Sequence, residues 1–106
     1  MNDPVSALRN LGPAVEAACL RAGIPDAPAL RALGADAAYA ALMAHGTRPH
    51  FIGYIAIAMA LQDRPWTECQ GAEKAALRQR FDALKASAAA RTGIDAALDA
   101  IGVRKP

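Results

Sequence analysis

The stretch "LRNLGPAVEAACL", Leu8 to Leu20, sets a Gly-Pro pair between two apolar-periodic segments. Pro13 has no N–H and a fixed φ, which suits the first position of a helix, where that N–H would go unused. Val15, Ala18, Cys19 and Ala22 then recur at helical spacing and stop at Gly23, a C′ glycine. Upstream, Asn2 or Asp3 caps a first helix opened by Pro4 and running to about Asn10, which Gly12 ends. The stretch is a corner between two short helices.

The same grammar continues along the chain. Asp26 caps a third helix that carries Pro28 in its first turn and points Leu30 and Leu33 inward before Gly34. Asp36 caps a fourth, with Tyr39, Leu42 and Met43 on one stripe before Gly46. A fifth, between Arg48-Pro49 and Arg64-Pro65, is apolar nearly all round and reads as the central element. Thr67 caps a brief turn after Trp66, and Gly71 separates it from a last long helix whose inner face is Leu77, Phe81, Leu84 and Ala88. From Thr92 the grammar recurs in miniature, with Gly93 as stop, Asp95 as cap, and Leu98 and Ile101 as anchors before Gly102. No alternating β-branched run occurs, so strands are not expected.

An offset of 22 residues, from Leu8 to Leu30, aligns "LRNLG" with "LRALG", Leu30 to Gly34, and carries Ala18 onto Ala40 and Leu20 onto Leu42. Such a repeat implies two stacked hairpins that bury their leucines against each other. The expected fold is all-α: a compact bundle of about five to seven short helices with tandem helix-hairpin-helix-like (SAM-like) repeats. It forms one domain over 1–106, with 87–106 as a C-terminal helical extension.

Composition narrows the function classes. The chain has 106 residues, 28 of them alanine and only five aromatic, so its interior closes by close approach of helices rather than by bulk. Twelve basic residues against ten acidic ones make no concentrated cationic face. No secretory leader pattern opens the sequence, so a cytoplasmic location is expected. The longest apolar run, Phe51 to Leu61, is far short of the roughly 20 residues a membrane-spanning helix needs. Cys19 and Cys69 match no C-x-x-C spacing and are expected to be reduced and buried.

No G-x-S-x-G, phosphate-binding loop or paired acids in an apolar setting occurs, so no catalytic residue and no cofactor are expected. His45, His50 and Cys69 form a poor zinc set, and no metal is expected; His45 instead suits the end of the fourth helix. Trp66 and Tyr54 read as core or rim anchors.

The corners carry the remaining candidates. In helix-hairpin-helix proteins a glycine-rich turn points backbone N–H groups at a phosphate, aided by the helix dipole. "NLGP" is similar to that turn, but Asn10 replaces the first glycine, Pro13 donates no N–H, and Ala14 follows where a basic residue is frequent. In "ALGAD" the charge of Asp36 opposes a phosphate. Arg9 and Arg31 are equivalent in the repeat, and Arg48 opens the fifth helix. The candidate contact set for a partner or for DNA phosphates is Arg9, Asn10, Leu11, Gly12, Arg31, Gly34 and Arg48.

Taken in order, "LRNLGP", Gly23-Ile24, "LRALGADAAYAAL", Arg48-Pro49 and the Trp66 context resemble the C-terminal domain of the TfoX/Sxy family of bacterial competence regulators, over roughly residues 6 to 85. The resemblance implies an all-helical fold with no catalytic residues to carry over. Leu11, Gly12, Pro13, Leu33, Gly34 and Tyr39 transfer chiefly as fold determinants. Relatives of full length carry an N-terminal α+β domain and are associated with switching on DNA-uptake genes by assisting a transcription activator of the cyclic-AMP receptor type. This chain is therefore expected to be a stand-alone version of the domain or a piece of a longer protein. Its expected role is a non-enzymatic interaction module holding a protein partner. The alternative is a DNA-binding accessory domain, and homodimerisation through the fifth helix or the extension is a further expectation.

Overall fold

The computed structural model describes residues 3–100, with side-chain surroundings as far as residue 88. Within that range the chain is all-helical: α1 (Pro13–Arg21), α2 (Ala27–Ala44), α3 (Phe51–Ala60) and α4 (Gly71–Ala100), with 3-10 turns at Val5–Ala7 and Trp66–Glu68. Several short helices expected from the sequence merge or shrink. The first becomes one 3-10 turn, because Pro4 and the extended Leu8 leave it only three residues. The third and fourth are both present as the two helical segments of α2, which meet at Gly34, where φ +82° and ψ 167° break the helix as expected. The last two join as α4, which passes through Gly93 without a stop. The side chains of the expected anchor Leu98, and all of Ile101 and Gly102, lie outside what the structure describes.

The helix boundaries follow local chemistry. Pro13 starts α1 after Gly12, and α1 ends in a Schellman motif: Ile24 N–H donates to Cys19 C=O at 2.8 Å and Gly23 N–H to Leu20 C=O at 3.2 Å. Gly23 sits at φ +82°, which only a residue without Cβ adopts freely. At the end of α3 the same pair of bonds forms around Asp63 at φ +56°, so this helix closes before Arg64-Pro65. Asp26 caps α2 as expected, its carboxylate accepting from Ala29 N–H at 2.9 Å.

The core is continuous. α3 lies at its centre, with Tyr54, Ile55, Ile57 and Met59 all buried. Burying each large apolar side chain stabilises the fold by about 1.5–3 kcal/mol. α4 closes the core with Leu77 and Phe81, the latter meeting Tyr39, Tyr54 and Phe51 at ring-centroid distances of 6.0, 5.8 and 5.3 Å. Val5 and Leu8 cover it at the N-terminal end.

The 22-residue repeat holds at Leu8 and Leu30, both buried, but not at the leucines that follow. Leu11 is buried while Leu33 is 46% exposed, and Leu42 is buried while Leu20 is 54% exposed. The expectation that Leu33 points inward is corrected. Gly12 is extended at φ −122°, whereas Gly34 is left-handed at φ +82° with ψ 167°. One glycine precedes a helix in extended backbone, and the other separates two helical segments in left-handed backbone, so equivalent residues face different surroundings.

Candidate interaction surface

The first corner is a brace. Asn10 takes φ +72°, a left-handed conformation that asparagine tolerates better than most residues, and so does the work of the glycine it replaces in the expected turn. Its Nδ2 donates to Arg64 C=O at 2.9 Å, and its Oδ1 accepts from Trp66 N–H at 3.2 Å. Leu11 enters the core, and Gly12 C=O accepts the first helical bond of α1 from Glu16 N–H at 3.0 Å. Arg9 pairs with Asp63 at 3.5 Å, both well exposed. Of this half of the candidate set, Asn10 and Leu11 are thus engaged within the chain.

At the second corner, Gly34 lets α2 change direction, and Asp36 follows two residues later. Asp36 does not act as the expected cap. Its carboxylate accepts the Tyr54 hydroxyl from α3 and a two-pronged grip from Arg80 of α4, at 2.8 Å to Oδ1 and 3.0 Å to Oδ2. The bonds from Arg80 hold Asp36 below its ordinary carboxylate range, while burial and the neighbouring carboxylate push the Tyr54 hydroxyl well above the usual tyrosine range. One acid therefore joins three helices. Arg31 and Arg48 are exposed, and neither forms an ion pair among the described residues.

Of the exposed large apolar residues, Leu20, Leu33, Ile52 and Trp66, the last two stand together in one hollow. Trp66, 44% exposed, and Ile52, 42% exposed, line one hollow of about 460 Å³ with Ile55, Cys69 and Lys74. An adjoining hollow takes in Phe51, Ala75 and Arg78 and shares Gly71 and Lys74. The backbone N–H of Trp66 donates to Asn10, and Arg64, two residues earlier, grips Glu73 at 2.8 and 3.0 Å and Glu68 at 3.0 Å. The bonds to Arg64 keep the Glu73 carboxyl below its usual range. Arg78 lies over the Phe51 ring at 4.9 Å, a cation–π contact. Aromatic and branched side chains open to solvent beside Lys74 form a surface fitted to an apolar partner with acidic neighbours.

Sequence reasoning named Trp66 as an anchor but missed Ile52. The signal was present: a ten-residue helix apolar on every side, in so short a chain, cannot be wrapped on all sides by its neighbours. Of the expected thiols, both Cys19 and Cys69 are free and buried, and burial raises both. His45 Nδ1 lies 2.9 Å from Ala41 C=O at the end of α2, where a cation is favoured. His50 gives its backbone to Tyr39, its N–H donating to the hydroxyl at 2.8 Å and its C=O accepting from it at 3.1 Å. No group of three or more His, Cys, Asp or Glu among the described residues is placed to hold a metal ion. No helix among them is long and apolar enough to cross a membrane.

The fold and these shallow, cation-edged hollows define a small all-α domain built round one buried apolar helix. The chain belongs to the TfoX C-terminal domain family, whose model matches residues 1–81 of the 106. No curated protein and no solved structure matches it.

Proposed function

We propose that this chain is a non-enzymatic protein-interaction module in the transcriptional regulation of competence, and that the hollow of Ile52, Trp66 and Lys74 receives its protein partner. The family supports the regulatory context. The observation that carries the site is the side-by-side exposure of Ile52 and Trp66 in one hollow, whereas the exposed Leu20 and Leu33 line neither that hollow nor the adjoining one. Tryptophan is among the side chains that most often anchor an interface, and Ile52 extends the apolar area beside it. The partner that fits the family is a transcription activator of the cyclic-AMP receptor type, presenting an apolar residue with an acidic neighbour toward Lys74.

The test is capture of the purified activator by the immobilised chain, with Ile52→Glu, Trp66→Ala, Arg9→Glu and Arg31→Glu compared after folding is checked by circular dichroism. Loss of capture is expected for the changes at Ile52 and Trp66, and near-normal capture for the two arginine changes. The same proteins are mixed with duplex DNA at about 50 and 200 mM salt. Steeply salt-dependent duplex binding that is lost with Arg9 or Arg31, alongside capture indifferent to Ile52 and Trp66, would overturn the proposal in favour of phosphate contact through the corners.

A further inference from the structure

On another face of α3 lies a second hollow, of about 300 Å³, enclosed by α1, α2 and the loop before α3. Val15 and Ala18 of α1, Leu42 of α2 and Ile57 of α3 make its lining largely apolar. The exposed side chains of Arg21, Arg48 and His50 complete it. Arg9, Arg64, Arg78 and Arg80 each hold a carboxylate, whereas Arg21 and Arg48 form no ion pair among the described residues. An occupant must therefore bring branched apolar side chains together with two acids.

The chain itself contains such a segment. "GIDAALDAIGV", Gly93 to Val103, holds Ile94, Leu98 and Ile101 at the i, i+4, i+7 spacing used by helices that lie in grooves. Asp95 and Asp99 stand one residue after the first two, and no basic residue interrupts the segment. It lies beyond the family match at residues 1–81 and beyond Leu84, the last described residue packed on the core. α4 is one helix from Gly71 to Ala100, and at 1.5 Å per residue Ile94 is about 15 Å further along its axis than Leu84. A continuous helix cannot double back to its own chain's hollow, so the occupant comes from a second copy.

We propose that the hollow between α1, α2 and α3 receives segment 93–103 of a second copy of this chain, its apolar residues on Val15, Leu42 and Ile57 and its Asp95 and Asp99 at Arg21 and Arg48. The exchange is reciprocal, so the product is a twofold dimer in which each chain gives one segment and one hollow. The proposal is independent of the Trp66 surface, which lies on the other hollow.

The experiment uses full chains and light-scattering mass across a concentration series. The wild-type chain is expected to reach twice its monomer mass. Arg21→Glu with Arg48→Glu sets acid against acid, and Asp95→Arg with Asp99→Arg sets base against base; each is expected to raise the dimer dissociation constant at least about tenfold. Mixing the two variants is the decisive arm. In the mixed pair the wild-type segment meets the wild-type hollow, and the reversed segment meets the reversed hollow, so the double mass returns. If circular dichroism shows either reversal unfolded, Arg21→Gln with Arg48→Gln and Asp95→Asn with Asp99→Asn are compared instead, and each must weaken the dimer. A wild-type chain at monomer mass up to about 1 mM, dimers indifferent to these changes, or folded variants that stay monomeric when mixed would each overturn the proposal.

Discussion

Replacing Gly34 by alanine separates the sequence view of α2 from the structural one. In an uninterrupted helix, "LRALGADAAYAAL" would gain about 0.5–1 kcal/mol from Gly→Ala, because alanine has less backbone entropy to lose. Here Gly34 stands at φ +82° and ψ 167°, a region essentially reserved for glycine. A Cβ built there meets no atom within 4 Å, so the penalty is backbone strain alone, about 1–3 kcal/mol. For a domain of this size that lowers the melting temperature by roughly 4–20 °C. Gly53→Ala is the control: it lies inside α3, its added Cβ meets the Tyr39 hydroxyl at an ordinary 3.6 Å, and it should stabilise by about 0.5–1 kcal/mol. Thermal unfolding followed by circular dichroism at 222 nm reads both. A Gly34→Ala chain as stable as wild type would refute the bend and restore α2 as one straight helix.

Three further outcomes are expected. Asn10→Ala removes the bonds to Arg64 and Trp66 and strains a left-handed residue, so urea denaturation should show a loss of about 1–3 kcal/mol, with Asn10→Gly losing less because its backbone is unstrained. Asp36, Glu16 and Glu73 titrate below their ordinary values in the folded chain. Their stabilisation is therefore fully present above about pH 4.5 and fades as pH falls through the folded-state values; Asp36→Asn should lower stability at pH 7 and flatten that acid loss in urea midpoints measured from pH 7 to 3. Cys19 and Cys69 are buried with raised thiol values, so both should react slowly with a thiol reagent at pH 8 and at the ordinary rate once urea unfolds the chain.

Much of the architecture was legible because it rests on local chemistry. Pro13, Asp26, Gly23 and Gly46 mark ends that need only neighbouring atoms, and α3 betrays its central place by being apolar on nearly every side. What the sequence could not convey was how a glycine is used. Gly12 and Gly34 end pentapeptides that differ only at Asn10 and Ala32, yet one precedes a helix in extended backbone and the other separates two helical segments in left-handed backbone. The difference is set at a distance: Leu11 has a core to enter, while Leu33 meets solvent and Asp36 is drawn instead to Tyr54 and Arg80. Pattern matching weighs such positions equally, and tertiary contacts do not.

The same reasoning explains why the candidate site moved. In a phosphate-gripping turn Asn10 is a flaw, but its amide has two long-range partners, at Arg64 and Trp66, more than 50 positions away. That separation has no signature in any window of sequence. Through it the corner acts on the Trp66 surface without touching a ligand: Asn10 holds the Trp66 backbone beside the hollow that Trp66 lines. A substitution at Asn10 should therefore weaken partner capture together with stability, while Trp66→Ala should weaken capture with little loss of stability, since nearly half of that side chain faces solvent. Capture lost in Asn10→Gly but kept in Trp66→Ala would place the contact at the corner itself and remove the indole from the interface.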